Sequence, residues 1–391
     1  MEKTIDECFF QIQNGANIKQ GDVDGGYPIT RIETIANDKF NRDRMGYAGI
    51  TDLSKYESYV LEDGDLLMSH INSVQYLGRT VLYEKQENET IIHGMNLLRL
   101  KARRDIINPA YARYCFYGHP FRSQVANITK KSVNQASFAV KDLKQLKIDV
   151  PEMNRQNQIV EILNKTNELI GKRQQELDTL DELIKARFVE MFGDVIRNDR
   201  GWPKHVFEDI TESRLGKMLD AKKQTGKCAY PYLANFNVQW FEFNTDSLNK
   251  MDFDENDRKE FELHEGDLLV CEGGEIGRCA IWHNEVQPCY FQKALHRVRC
   301  KREYLLPEYL AWWFKYNCDH GGFSTIEGAK ATISHLPGAK LKKMNVTVPE
   351  IERQEEFAVF LDQTDKSKVA VQKALDETQT LFDSLMQEYF G

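Results

Sequence analysis

The chain has 391 residues, of which 41% are hydrophobic and 29% charged. That length suggests two or three domains, and the mix is that of a folded globular protein rather than a disordered one. The net charge of −8 argues against a chain coated all over in nucleic acid, although phosphate contact is local and an acidic body can carry basic strips.

In chain order, the first clear element lies within Val60 to Met68, where Gly64-Asp65-Leu66-Leu67 reads as a turn entering a buried strand. Thr80 to Tyr83 and Leu97 to Lys101 follow as strands, the second alternating basic and apolar side chains. Pro109 to Tyr117 then forms a short aromatic helix, with Asn108 as N-cap and Pro109 in the first turn. From Glu152 to Phe192 no proline occurs, and Gly171 is the one internal breaker. Apolar residues recur there at alternating steps of three and four: Ile159, Leu163, Thr166, Ile170, Arg173, Leu177, Leu180, Ile184, Arg187 and Met191. This is a heptad seam with a few polar faults. A helix of this length is about 60 Å long at ~1.5 Å per residue. Proline tolerates a helix start, so Pro151 fits there, with Glu152 in the favourable first turn.

After the connector Gly193 to Gly201, Tyr230 to Trp240 reads as strand and loop rich in amide side chains. Phe261 to Val270 carries a second Gly-Asp-Leu-Leu at Gly266 to Leu269. Cys279 to Trp282 and His296 to Cys300 are strands, and Pro307 to Tyr316 is a second aromatic helix. A second long helix follows Pro349-Glu350, with the seam Phe357, Leu361, Thr364, Lys368, Val371, Leu375, Thr378, Phe382, Leu385 and Tyr389.

These elements are a duplication. Val150-Pro151-Glu152-Met153-Asn154-Arg155-Gln156 recurs as Val348-Pro349-Glu350-Ile351-Glu352-Arg353-Gln354, an offset of 198. The same offset relates Pro109 to Pro307, Tyr111 to Tyr309, and Phe192-Gly193 to Phe390-Gly391. Further upstream the register slips slightly, so that Gly78-Arg79 matches Gly277-Arg278. The chain therefore divides into a first globular region (1–149), a spacer helix (150–193), a second globular region (194–347) and a distal helix (348–391). Matching seams favour pairing of the two helices over packing of each on its own domain. The connector can span only ~30 Å at ~3.4 Å per residue. It cannot return the chain along a helix twice that length, so the helices are expected to pair antiparallel, with a globular region at each end. Two similar heads on a ruler suit a target with two separated half-sites.

Asn and Gln can pair with adenine edges, and Arg or Lys can grip guanine or phosphate. Loops carrying such residues are candidate DNA contacts. In the first head they hold Arg42, Arg44, Asn72 in His70-Ile71-Asn72-Ser73, Arg79, Lys130, Lys131, Asn134 and Gln135. In the second they hold Lys217, Lys222, Lys223, Asn235, Asn237, Gln239, Arg278, Lys330 and Thr332. Any one of them read alone is as consistent with a solvated surface group.

Ser137-Phe138-Ala139-Val140-Lys141-Asp142-Leu143, leading through Leu146-Lys147-Ile148 to Val150-Pro151-Glu152 and Arg155-Gln156, resembles the specificity subunits of type I restriction–modification systems. Ile333-Ser334, leading through Leu341 and Val346 to Val348-Pro349-Glu350 and Arg353-Gln354, repeats the resemblance. So does the Gly-Asp-Leu-Leu strand followed by Glu275-Ile276-Gly277-Arg278. The resemblance implies an α+β chain with two pseudo-symmetric, strand-dominated, mixed α/β target-recognition domains, separated by an antiparallel pair of long coiled-coil helices. It implies that each head reads one part of a bipartite, asymmetric site in double-stranded DNA. The helices would set the spacing and dock two methyltransferase subunits, and motor–nuclease restriction subunits would join that core. S-adenosylmethionine, ATP and magnesium would belong to those partners, leaving this chain non-catalytic and without a cofactor.

The enzymatic alternatives are weak on their residues. Asn108-Pro109-Ala110-Tyr111 resembles the motif with which adenine methyltransferases hold a flipped base. Its repeat equivalent is Leu306-Pro307-Glu308-Tyr309, so a capped helix start explains it better. No G-x-x-x-x-G-K-[ST] phosphate loop occurs, and Glu272 to Gly277 reads as a turn between strands. The eight cysteines form no C-x-x-C pair and no zinc spacing, which suits free thiols in a reducing compartment. No run of about 18 apolar residues predicts a membrane span. The polar, acidic start lacks a signal peptide's pattern, so a cytoplasmic location is expected. Two other readings stay open: a DNA-reading module serving another class of methyltransferase or nuclease, and a coiled-coil adaptor that binds only proteins.

Overall fold

The computed structural model describes residues 1–21, 26–133, 135–220, 224–323 and 336–391. Contacts divide the chain into two compact units, Met1–Gln174 with Lys373–Gly391, and Gln175–Gln372. The division falls inside the two long helices, Met153–Phe192 and Ile351–Phe390, so each unit holds one globular head and part of each helix.

The first unit is built on an antiparallel four-stranded sheet in the order Phe9–Asn14, Leu97–Ala102, Leu66–Ser69, Thr80–Leu82. The strand Leu66–Ser69 is buried throughout. Its side chains alternate between two faces, as the period of a strand requires. Leu66 and Met68 join the main core with Leu98, Leu100, Tyr111, Phe116 and Phe121. Leu67 enters a smaller cluster with Ile35, Leu61, Val81, Tyr83 and Leu97. This two-sided burial explains why the Leu-Leu pair reads as a continuous apolar run rather than an alternating one. The main core also takes Ile159 and Leu163 from the first long helix, and Phe382, Tyr389 and Phe390 from the second.

The second unit repeats that sheet in the same order: Thr211–Leu215, Leu295–Cys300, Leu268–Cys271, Cys279–Ile281. Leu268 and Val270 face a core with Tyr309, Phe314, Ile184, Phe188 and Phe357. Leu269 and Cys271 face another with Tyr232, Phe253, Trp282 and Phe291. A three-stranded sheet of Asn249–Asp252, Ala229–Leu233 and Tyr290–Phe291 extends this head, its last pair parallel.

The Gly-Asp-Leu-Leu motif performs the same task in both units. Gly64 and Gly266 take left-handed backbone angles, φ 84° and 85°, which a β-carbon would oppose. The following aspartate then closes the turn: Glu62 N–H donates to Asp65 at 2.7 Å, and His264 N–H donates to Asp267 at 2.9 Å. Each aspartate also pairs with an arginine of the neighbouring strand, Asp65 with Arg99 and Asp267 with Arg299, both at 2.6 Å. Burial raises the pKa of Asp65, against the opposing pull of the Glu62 amide and Arg99.

Within each unit the long helices run antiparallel. In the first unit the Arg155 guanidinium lies 5.4 Å from the Tyr389 ring centroid, and Arg173 donates to the Ala374 carbonyl. In the second, Asp181 pairs with Lys368 at 2.6 Å, the Arg187 guanidinium lies 5.8 Å from the Phe360 ring, and Phe188 meets Phe357 edge-on. All the seam positions read from the sequence are buried or half-buried. The threonine faults are satisfied within their own helices. Thr166 and Thr364, an offset of 198, both donate to the carbonyl four residues back, at 2.9 Å. Glu152 and Glu350 stand just before the assigned helices, their carbonyls accepting from Gln156 and Gln354, so they act at the N-cap rather than inside the first turn.

Candidate nucleic-acid interface

The structure separates the candidate residues into three groups. The first is anchored inside its own head. Arg42 forms a two-pronged contact with Glu89, at 2.7 and 2.9 Å, and donates to the Glu84 carbonyl at 2.9 Å. The Arg42 hydrogen bond is the main reason the Glu89 carboxyl is held down at about 2. Arg79 pairs with Asp38 at 3.0 Å and stacks on Tyr76. Lys217 donates to the Asp252 carbonyl at 2.6 Å and pairs with Asp257. Arg278 donates to the side-chain oxygen of Asn235 at 2.5 Å, while Asn235 donates to the Gly273 carbonyl at 2.8 Å. Asn237 is buried and closes a turn through Ala234 N–H and the Asn244 carbonyl, both at 2.9 Å. These side chains organise loops; each already has the partner that a base or phosphate would otherwise supply.

The second group is exposed. Two loops far apart in sequence meet in a small sheet, Ile71–Asn72 beside Ala136–Ser137 beside Lys130–Lys131. Ala136 faces both Asn72 and Lys131, and Ser137 faces both Ile71 and Lys130. This ribbon gathers Asn72, Lys130, Lys131 and Gln135 into one surface. Among the described residues no hydrogen bond or ion pair holds the Lys130 and Lys131 side chains. Asn72 is half-buried and turns its oxygen to Ser73 N–H at 2.7 Å. His70, at the root of the ribbon, is buried against Phe138, and burial pushes its pKa down to about 4, so the ring is neutral. Arg44 is exposed on the first head, and Gln239 is exposed on a hairpin turn of the second, with its amide on the Phe236 carbonyl at 3.2 Å. The third group, Asn134, Lys222, Lys223, Lys330 and Thr332, lies outside the described residues.

The structure brings forward residues that the sequence reading did not single out, two of them, Val133 and Phe236, inside candidate loops. Gln75 and Tyr76 stand exposed on the short turn Val74–Tyr76, beside the ribbon strand Ile71–Asn72. Val133 is 99% exposed beside the ribbon lysines, and Phe236 is 58% exposed next to Asn235. An apolar side chain in an otherwise polar loop is the signal that could have found Tyr76, Val133 and Phe236, and an exposed aromatic such as Tyr76 or Phe236 offers a face for stacking.

Nothing in the cysteines points to nucleophilic chemistry. All eight are free thiols, and burial pushes Cys8 up to about 11 and Cys289 up to about 12. Asn108 accepts from Ala110 N–H at 2.8 Å with Pro109 in the first turn, so the Asn-Pro-Ala-Tyr run is a helix cap. No helix among the described residues is long and apolar enough to cross a membrane.

One head-and-helix plan built twice, with exposed amide and basic loops on a scaffold of internally paired charges, defines a duplicated α+β protein with two mixed, strand-dominated domains and an antiparallel pair of long helices. The chain belongs to the family described as type I restriction modification DNA specificity domain, whose model matches residues 2–179 and 200–378. It is 34% identical over 201 residues to the putative type I restriction enzyme MjaX specificity subunit of Methanocaldococcus jannaschii, covering 51% of this chain and 47% of that one. It is 24% identical over 151 residues to the type I restriction enzyme EcoKI specificity subunit of Escherichia coli K12, covering 38% of this chain and 32% of that one. The matches thus span half or less of these curated relatives. Its fold is similar to the type I restriction–modification S subunit from M. genitalium, with a TM-score of 0.60, 13% identity, and coverage of 100% of this chain and 96% of that one. A chain from a structure titled for complex assembly and conformational transition of the type I R-M system gives a TM-score of 0.54 at 13% identity, with the same coverage.

Proposed function

We propose that this chain is the DNA-reading specificity subunit of a type I restriction–modification complex, and is itself non-catalytic. Each head reads one part of a bipartite, asymmetric site in double-stranded DNA. The long helices set the distance between the parts and dock two methyltransferase subunits; restriction subunits with motor and nuclease activity join that core in the cytoplasm. S-adenosylmethionine, ATP and magnesium act on those partners.

The observation that carries this reading is a duplicated scaffold whose two heads expose different side chains. The first offers the ribbon of Lys130, Lys131, Gln135 and Asn72 with Gln75 and Tyr76; the second offers Gln239 and Phe236. Basic groups suit phosphate, amides suit base edges, and different sets suit different half-sites.

The test is co-expression with a type I methyltransferase subunit from the same genome, followed by genome-wide mapping of adenine methylation. The expected result is one asymmetric motif with a fixed unspecified gap that vanishes when this gene is deleted. Methylation that persists unchanged without the gene would sink the reading.

A further inference from the structure

The Arg-Gln pair that opens both long helices has a role that neither the periodicity nor the DNA reading assigns. Gln156 and Gln354 are both fully buried. The Gln156 side-chain oxygen accepts from Asn108 N–H at 2.8 Å, and its amide donates to the Ile106 carbonyl at 3.0 Å and the Pro151 carbonyl at 2.8 Å. The Gln354 oxygen accepts from Leu306 N–H at 2.9 Å, and its amide donates to the Tyr304 carbonyl at 2.9 Å and the Pro349 carbonyl at 2.8 Å. Every partner in the second set lies 198 positions after its counterpart in the first. Both protons of the amide are used, and three chain segments meet on one side chain: the loop before the aromatic helix, the turn before the long helix, and the long helix itself. A second strut runs beside it in each unit. Tyr111 donates its hydroxyl to the Asp149 carbonyl at 3.1 Å, and Tyr309 donates to the Thr347 carbonyl at 2.7 Å.

Apolar contacts hold a head against its helix but are not directional. An amide with three hydrogen bonds at fixed angles resists rotation as well as separation. We infer that Gln156 and Gln354 are positioning residues that fix the angle of each head on its own spacer helix, and through it the gap between the two half-sites that the complex accepts. The inference rests on the two-part DNA reading proposed above. Successive base pairs are about 3.4 Å apart along the duplex, so a modest tilt of a head is enough to bring the neighbouring gap length within reach.

The test uses the full chain in complex with its methyltransferase. Once the wild-type motif is mapped, duplexes carrying the same half-sites with the native gap, one base pair fewer and one more are compared in binding and methylation. The variants are Gln156→Met and Gln354→Met, which keep side-chain length and remove all three bonds, and the milder Tyr111→Phe and Tyr309→Phe. Wild type should prefer the native gap strongly. Either methionine variant should lose that preference by tenfold or more while the bases of both half-sites stay unchanged, and the phenylalanine variants should lose it by a smaller factor. If the variants lower the melting temperature, or weaken all three duplexes equally, with the gap preference intact, the glutamines only stabilise the fold and the inference is overturned. Should a methionine variant fail to fold, the matching phenylalanine variant decides by the same ratio. A wild-type complex that reads no two-part site would instead overturn the DNA reading, and the inference with it.

Discussion

The two units use the same buried polar fixings and differ in how deeply they bury them. Arg99 in the first is fully enclosed, with Asp65 beneath it; Arg299 in the second leaves 34% of its side chain exposed beside an equally buried Asp267. The Gly-Arg pair also persists while its task changes. Arg79 ties down Asp38, which also accepts from Tyr117, whereas Arg278 ties down Asn235. Duplication kept the devices that join strand to strand and head to helix, and let the loops they support diverge. This is the pattern expected where the scaffold must be equal and the surfaces must read different things.

The comparison breaks most visibly if the heads are not independent. On the proposed function, replacing residues 1–149 with the first head of a type I restriction–modification specificity subunit should change one half-site completely and leave the other untouched in methylation maps. Changes in both halves would mean that neither head reads alone. The next effect concerns the buried pairs. Asp65→Ala should destabilise its unit by about 3–5 kcal/mol, because it leaves Arg99 charged and enclosed. Asp267→Ala should cost about 2 kcal/mol, since Arg299 can turn to water and the loss is mainly that of charge-assisted hydrogen bonds. Urea unfolding can tell the units apart. All five tryptophans, Trp202, Trp240, Trp282, Trp312 and Trp313, belong to the second unit, so fluorescence follows that unit and circular dichroism follows both. Equal losses from the two variants would remove the burial argument.

A pH series sharpens the same contrast. Burial pushes His93 down to about 3 and His70 to about 4, from an ordinary value near 6.5. Unfolding the first unit therefore takes up protons below pH 6.5. The stabilisation that comes from keeping these rings neutral is complete above pH 6.5 and is lost as pH falls toward 4. The transition seen by circular dichroism but silent in fluorescence should move to lower urea between pH 6.5 and 5. A flat midpoint over that range would contradict it. The smallest effect separates exposed from anchored cations. Lys130→Ala with Lys131→Ala should weaken DNA binding and reduce the slope of log affinity against log salt by up to about 2, since each phosphate contact contributes about 0.9. Arg42→Ala should leave that slope unchanged and instead lower the stability of the first unit, because it strands Glu89. A reversed result would move Arg42 into the interface and the ribbon lysines out of it.

The legible part of this protein was the part written in local repeats. Gly-Asp-Leu-Leu marked both central strands because a left-handed glycine, a turn-closing aspartate and a doubly buried pair of leucines lie side by side in sequence. The seam from Ile159 to Met191 announced a partner because its period matches a helix face, and the offset of 198 supplied the same seam again. The compact units were harder to place. Each borrows a stretch of the helix that follows the other head, so their borders fall after Gln174 and Gln372 rather than at the helix starts.

The sequence by itself thus determined the duplication, the central strands and aromatic helix of each head, the antiparallel logic of the seams and the resemblance to a DNA-reading family, but not the edge strands Phe9–Asn14 and Thr211–Leu215. The duplication and the seams follow from spacing along the chain, and the resemblance rests on the residues of the repeated Val-Pro-Glu and Gly-Asp-Leu-Leu runs. Only the tertiary structure decided which basic side chains are available to a ligand. Arg42 meets Glu89, Lys217 meets Asp257 and Arg278 meets Asn235 across 40 or more residues of chain, and Lys131 joins Asn72 through Ala136 in a ribbon that no local pattern predicts. A charge that is satisfied inside the fold and a charge left for phosphate look alike in one dimension. The difference is a partner brought close by folding, and the hydrogen bonds it forms set the loops that each head presents.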